Sequence, residues 1–139
     1  MNPAVPDNLV RMARPGEAPR RIYHVAFEGD WIDARSSGVY RHSTRGATLD
    51  EVGYIHASFA HQVTRIGALI YAYVTEPLVV LAIDTAMLSA PVKIEHMDGG
   101  PEAFPHIYGP LPASAVVDVL PARMHGTDFV VDGLPSVPG

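Results

Sequence analysis

Gly53-Tyr54-Ile55-His56-Ala57-Ser58 is the stretch on which the fold turns. Val52 to Ala57 is β-branched and aromatic and reads as a short strand. It drops directly into Phe59–Tyr73, where Phe59, Val63, Ile66, Ile70 and Tyr73 recur at helical spacing and make one apolar stripe. Ser58 stands where a helix N-cap is expected. Tyr54, His56 and Ser58 alternate onto one strand face that leads to the helix start. Unpaired N–H groups and the positive end of the dipole favour an anion there. Gly67 interrupts the stripe at a cost of about 1 kcal/mol relative to alanine, which predicts a close backbone contact.

Working outward from this corner, Arg21–Phe27 reads as the first strand. Ile22, His24 and Ala26 share one face; Tyr23, Val25 and Phe27 share the other, the expected core face. His24 is then either on the less apolar face or an inward polar group in need of a partner. Asp30 can cap a short helix through Ser37, with Gly38 ending it. Tyr40–Leu49 is polar and reads as a loop of functional length. Leu78–Ile83 is apolar throughout, which predicts a central strand buried on both faces. Further strands are expected at Pro91–Met97, around Phe104, at Ala115–Leu120 and at Thr127–Val131, with a turn at Asp98-Gly99-Gly100-Pro101. Strands outnumber helices, so the class is α+β, with one longer amphipathic helix and one short helix on a curved or split sheet. Residues 1–19, with four prolines, read as a flexible arm; 20–132 as one domain; 133–139 as a flexible tail.

Composition narrows the function. The chain of 139 residues has no cysteine, which excludes zinc–thiolate sites and thiol nucleophiles. No apolar run reaches the roughly 18 residues of a membrane span, and no secretory signal is seen, so a cytoplasmic protein is expected. A net charge of −5 argues against a sequence-independent grip on nucleic acid. Seven histidines stand out. His42, His61, His96 and His125 have surface contexts, whereas His24, His56 and His106 each sit in a β-run beside an aromatic residue and a turn or helix start. These three are expected to converge on one pocket. A zinc site would suit three imidazoles, but no His-x-His or Glu-x-x-His pair fixes two ligands on one element. The Gly-x-Ser-x-Gly elbow and the common glycine-rich phosphate loops are absent. A nucleotide could instead lie with phosphates near Ser58 and the helix start, a ring on a tyrosine or Trp31, and ribose hydroxyls on His24.

Ile22-Tyr23-His24, Trp31, the 53–58 stretch with Gln62-Val63, Leu81-Ala82-Ile83-Asp84, Glu95 and Phe104-Pro105-His106-Ile107-Tyr108-Gly109-Pro110-Leu111 resemble the bacterial domain of unknown function 952. That family resembles the ADP-ribosyltransferase-like fold, a split β-sheet with a cleft for NAD, in the His-His-hydrophobic group near the RNA 2′-phosphotransferases. The resemblance implies NAD as substrate, with transfer or hydrolysis of ADP-ribose. It implies catalytic roles for His24 and His56, with Glu95 the strand carboxylate in a suitable setting. Tyr23, Trp31, Tyr54, Ser58, His106 and Tyr108 would bind the nucleotide. An RNA acceptor is neither excluded nor supported by the charge. Two alternatives stand beside this reading: a non-catalytic nucleotide- or small-ligand-binding module, and a His-dependent metal hydrolase.

Overall fold

A computed structural model describes residues 21–96 and 100–134. The expected arm at 1–19, most of the expected tail and part of the Asp98–Pro101 turn lie outside the described residues. The strands are β1 Arg21–Phe27, β2 Val39–Tyr40, β3 His42–Thr44, β4 Ala47–Thr48, β5 Ile55–His56, β6 Leu78–Asp84, β7 Val92–His96, β8 Ala103–Ile107, β9 Leu111–Pro112, β10 Val116–His125 and β11 Asp128–Val131. The helices are α1 Glu28–Ser37, the single turn α2 Leu49–Val52, and α3 Ala60–Tyr71.

Two antiparallel sheets dominate. The larger has the order β1-β6-β10-β11 and the smaller β5-β8-β7. β6 lies inside the larger sheet and is buried at six of its seven positions, as its unbroken apolarity requires. Its side chains alternate between two cores. Val79, Leu81 and Ile83 pack with Ile22, Trp31, Tyr40, Ile55 and Ile107 on the side of the smaller sheet. Val80 and Ala82 pack with Tyr23, Val25, Val63, Tyr71 and Phe129 on the side of α3. Full burial of a side chain such as Leu81 contributes about 1.5–3 kcal/mol. Both faces of β1 are therefore core, and His24 is an inward polar group.

Among the described residues the sheets meet at one backbone pair. Tyr23 and Ser58 exchange N–H···O bonds of 2.8 Å in each direction, which holds the end of the smaller sheet against the free edge of β1. This role displaces the expected cap. With its backbone paired to Tyr23, Ser58 ends the extended segment and Phe59 becomes the N-cap; the Phe59 N–H donates to Gln62 Oε1 at 2.9 Å. The strand at the corner is also shorter than expected. Residues Leu49–Val52 form a helical turn, started by a Thr48–Glu51 capping box and ended by Gly53 at φ +100°. Only Ile55 and His56 remain as ladder residues.

Two more expectations change. The Tyr40–Leu49 stretch holds short strands and a hairpin, β3–β4, turned at Gly46. At its far end the helical stripe loses Tyr73. The helix stops at Tyr71, which is buried in its place, while Tyr73 adopts φ +65° and is 73 % exposed. The Gly67 expectation holds, since an added Cβ would lie 2.8 Å from the Phe129 ring. Gly67→Ala is therefore expected to destabilise by about 1–3 kcal/mol despite alanine's better helix propensity. Gly29→Ala, in open space, should be neutral or stabilising by about 0.5 kcal/mol. Urea midpoints of the two variants check the contrast.

Candidate functional site

A cleft of about 640 Å³ opens between the β3–β4 hairpin, α2, the flank of α3 and β8. Ser43, Thr44 and Arg45 line one wall and Arg65, Ile66, Leu69 and Ile70 another; Val52, Tyr54, His56, Glu102 and Phe104 complete it. Its size is that of an ordinary small-ligand site. At its inner end a narrow recess shares Ser43, Thr44, His56, Ile66 and Ile70 with it, and adds Tyr23, His24 and Ser58. His56 stands at the junction of cleft and recess. The cleft runs along the middle and C-terminal half of α3, away from the helix start where an anion was expected. Its cations are instead Arg45, whose guanidinium donates to the Ile70 carbonyl at 2.9 Å, and Arg65, paired with Glu102 at 2.5 Å.

The three expected histidines are neighbours but do not share one pocket: His24 and His56 line the recess, and His106 lines neither it nor the cleft. His24 is buried with both ring nitrogens engaged. Its Nδ1 donates to the His56 carbonyl at 2.6 Å and its Nε2 accepts from the Tyr40 hydroxyl at 2.8 Å. Burial, opposed by the bond to His56 and reinforced by the charges of His56 and His42, holds its imidazole down to about 4. With no free nitrogen, His24 positions the strand of His56 and has nothing to offer a ribose. The smaller sheet explains the other two. His56 and His106 face each other in the β5–β8 register, and Lys93 is opposite His106 on β7. The ring centroids of the two histidines are 5.4 Å apart. The His56 imidazole makes no hydrogen bond to any described residue, and it is held down to about 4 by burial and then by His106.

Glu95 reaches this face from β7. Its Oε1 accepts from Tyr108 at 2.6 Å and from His106 Nδ1 at 2.7 Å. Those bonds, the Tyr108 one first, hold its carboxyl below the usual range, and in return Tyr108 is pushed up to about 12. Tyr54 stacks on His106 at 4.1 Å and 18°, and so stands between it and the cleft. Lys93 Nζ sits 4.6 Å above the Tyr108 ring.

Of the expected site residues, Tyr54 and His56 line the cleft, and Tyr23, His24 and Ser58 line the recess. Glu95, His106 and Tyr108 form a connected group behind Tyr54. Trp31 is elsewhere: it is 6 % exposed inside the apolar core against α1 and is not available for ring stacking on a ligand. Arg65 and Phe104 were not expected at the site. Arg65 adjoins Ile66 of the apolar stripe, and Phe104 lies two residues from His106, so strand alternation places it on the same face. Among the described residues no group of three or more His, Asp or Glu side chains is arranged to hold a metal ion.

Comparison with known proteins places this chain. A family model described as "Protein of unknown function (DUF952)" matches residues 26–119, from β1 to β10 and across the cleft. The chain belongs to the DUF952 family. The crystal structure of protein CC0527 from Caulobacter crescentus is similar, with a TM-score of 0.67 at 26% identity over 79% of this chain and 93% of that one. Its solution NMR structure agrees, with a TM-score of 0.64 at 27% identity over 78% and 90%. Among curated proteins no relative matches. The DUF952 chain is thus a mixed α/β protein with antiparallel sheets, and none of its described helices is long and apolar enough to cross a membrane.

Proposed function

We propose that the cleft binds an NAD-type dinucleotide and that the protein transfers or hydrolyses ADP-ribose on an ADP-ribosyltransferase-like split sheet. The observation that carries this reading is the His56 imidazole, which bonds no described residue, at the inner end of the cleft with Tyr54, Phe104, Arg45 and Arg65 also lining it. Aromatic faces suit a base, guanidinium groups suit a diphosphate, and a neutral imidazole can accept or donate a hydrogen bond to a ribose hydroxyl. The glycosidic C–N bond would break with its electron pair leaving on nicotinamide. A C–O bond to the acceptor would form at the same carbon, the acceptor's proton passing to His56. The site's task is to stabilise the cationic sugar.

Binding without turnover is the second reading, and one observation favours it. The Glu95 carboxylate is engaged by His106 and Tyr108 and does not line the cleft. Calorimetry with NAD, ADP-ribose and AMP, beside a nicotinamide-release assay, separates the two. Binding is expected to weaken about tenfold in Arg45→Ala or Arg65→Ala, as for a charge-assisted contact, and to weaken with added salt. Failure of every nucleotide to bind overturns both readings.

A further inference from the structure

We propose that the recess at the inner end of the cleft holds one water molecule between Ser43 and His56, and that this water is the acceptor, so that the reaction is hydrolysis. Ser43 is fully buried, and its Oγ has no hydrogen-bond partner among the described residues. The His56 imidazole, at the same junction of cleft and recess, bonds no described residue either. The two therefore do not bond each other, and any link between them is a third atom. A buried hydroxyl without a partner is costly, so its retention calls for one. The recess measures about 10 Å³, close to the roughly 10–15 Å³ that a single water needs and too small for a sugar. Local structure also singles out Ser43. His42 pairs with Thr48 and Thr44 with Ala47, which makes Ser43 the extra residue of a β-bulge, a device that re-directs a side chain.

The Ser43 hydroxyl can donate to the water oxygen, and the neutral imidazole can accept one of the water's protons. Thr44 and Ser58 bring two more hydroxyl groups to the lining, whereas His24 has both nitrogens engaged and the side chains of Val25, Ile66 and Ile70 offer only hydrocarbon. Ser43, Thr44 and His56 also line the cleft, so polar groups stand where the recess opens on the ligand. With one lone pair of the oxygen on Ser43 and one proton on His56, the second lone pair is free to attack. The C–N bond breaks with its electron pair on nicotinamide, the water oxygen bonds the same carbon, and the water proton passes to His56. The products are ADP-ribose, nicotinamide and a protonated imidazole, which returns its proton to solvent through the cleft. The chemical step rests on the NAD reading above; the water site does not.

Two measurements separate the site from the reaction. A high-resolution crystal structure of the ligand-free protein is expected to show one ordered oxygen within hydrogen-bond distance of both Ser43 Oγ and a His56 ring nitrogen. Its absence there overturns the proposal. Ser43→Ala removes only an oxygen that bonds no described residue, so its urea midpoint should stay near that of the wild type. Its kcat for nicotinamide release from NAD is expected to fall about tenfold, the scale of one hydrogen bond lost at the transition state, with KM unchanged. A raised KM at unchanged kcat would give the recess to a hydroxyl of the ligand, and no change in either would leave the water structural; each result overturns the hydrolytic role. If the ordered oxygen is present and neither protein releases nicotinamide, the NAD reading fails, taking hydrolysis of NAD with it, and the water site stands.

Discussion

His56→Ala is expected to lower nicotinamide release from NAD by about 100-fold or more, the usual range for losing a positioned acid–base group. The imidazole bonds no described residue, so the fold should survive and the loss should fall on the reaction. Because burial and His106 hold His56 down to about 4, it is neutral at pH 7 and ready to accept a hydrogen bond or proton. The sign of the pH dependence follows: kcat/KM in the free enzyme should be level above about pH 5 and decline as pH falls through about 4. The measurement is a release assay on both proteins across that range. Equal rates would end the catalytic role, and tight NAD binding with no release in either protein would leave the binding module.

His24→Phe is expected to cost about 2–6 kcal/mol of stability. The Tyr40 hydroxyl and the His56 carbonyl would both lose a buried partner, each at about 1–3 kcal/mol. The wild type should show the matching pH signature. Its His24 titrates near 6.5 when unfolded and about 4 when folded, so the unfolded chain binds the proton first. Stability is therefore full above about 6.5 and falls as pH drops toward 4, by roughly 3 kcal/mol from this group. The phenylalanine variant should lose the His24 share of the slope and keep the share of His56, which is also held down to about 4. Urea midpoints at pH 7 and pH 4.5 check both statements. A variant as stable as wild type but unable to bind nucleotide would return His24 to the ligand.

Periodicity carried the fold where it was strong. Leu78–Ile83 announced a central strand, Arg21–Phe27 matched β1 residue for residue, and Gly38 ended its helix as its left-handed φ allows. It failed where tertiary pairing decided. Nothing local says that the Ser58 backbone will pair with Tyr23 and pass the cap to Phe59. The Thr48-x-x-Glu51 capping box, by contrast, was readable and marks the turn that shortens the corner strand. At the site, the nearness of His24, His56 and His106 was legible from their shared context, but a common pocket was not, since His106 lines neither the cleft nor the recess. Their different fates were not, because the partners Tyr40 and Glu95 are distant in sequence from His24 and His106. Trp31 misled for a related reason: a helical residue facing a strand is core, and only the packed sheet shows which side it faces.

The Tyr23–Ser58 backbone junction between the sheets has a consequence for affinity. His56 lies two residues from Ser58, and its carbonyl is held by His24, so it is anchored twice to β1, which pairs along seven residues with β6. The backbone that carries the imidazole is thus tied to the buried sheet. A ligand meeting it has little backbone entropy to remove there, whereas Arg45 must exchange its bond to the Ile70 carbonyl and the exposed Leu69 must be ordered on contact. Selectivity would then be set by how each ligand orders the rim, with the inner end contributing nearly the same enthalpy to all of them.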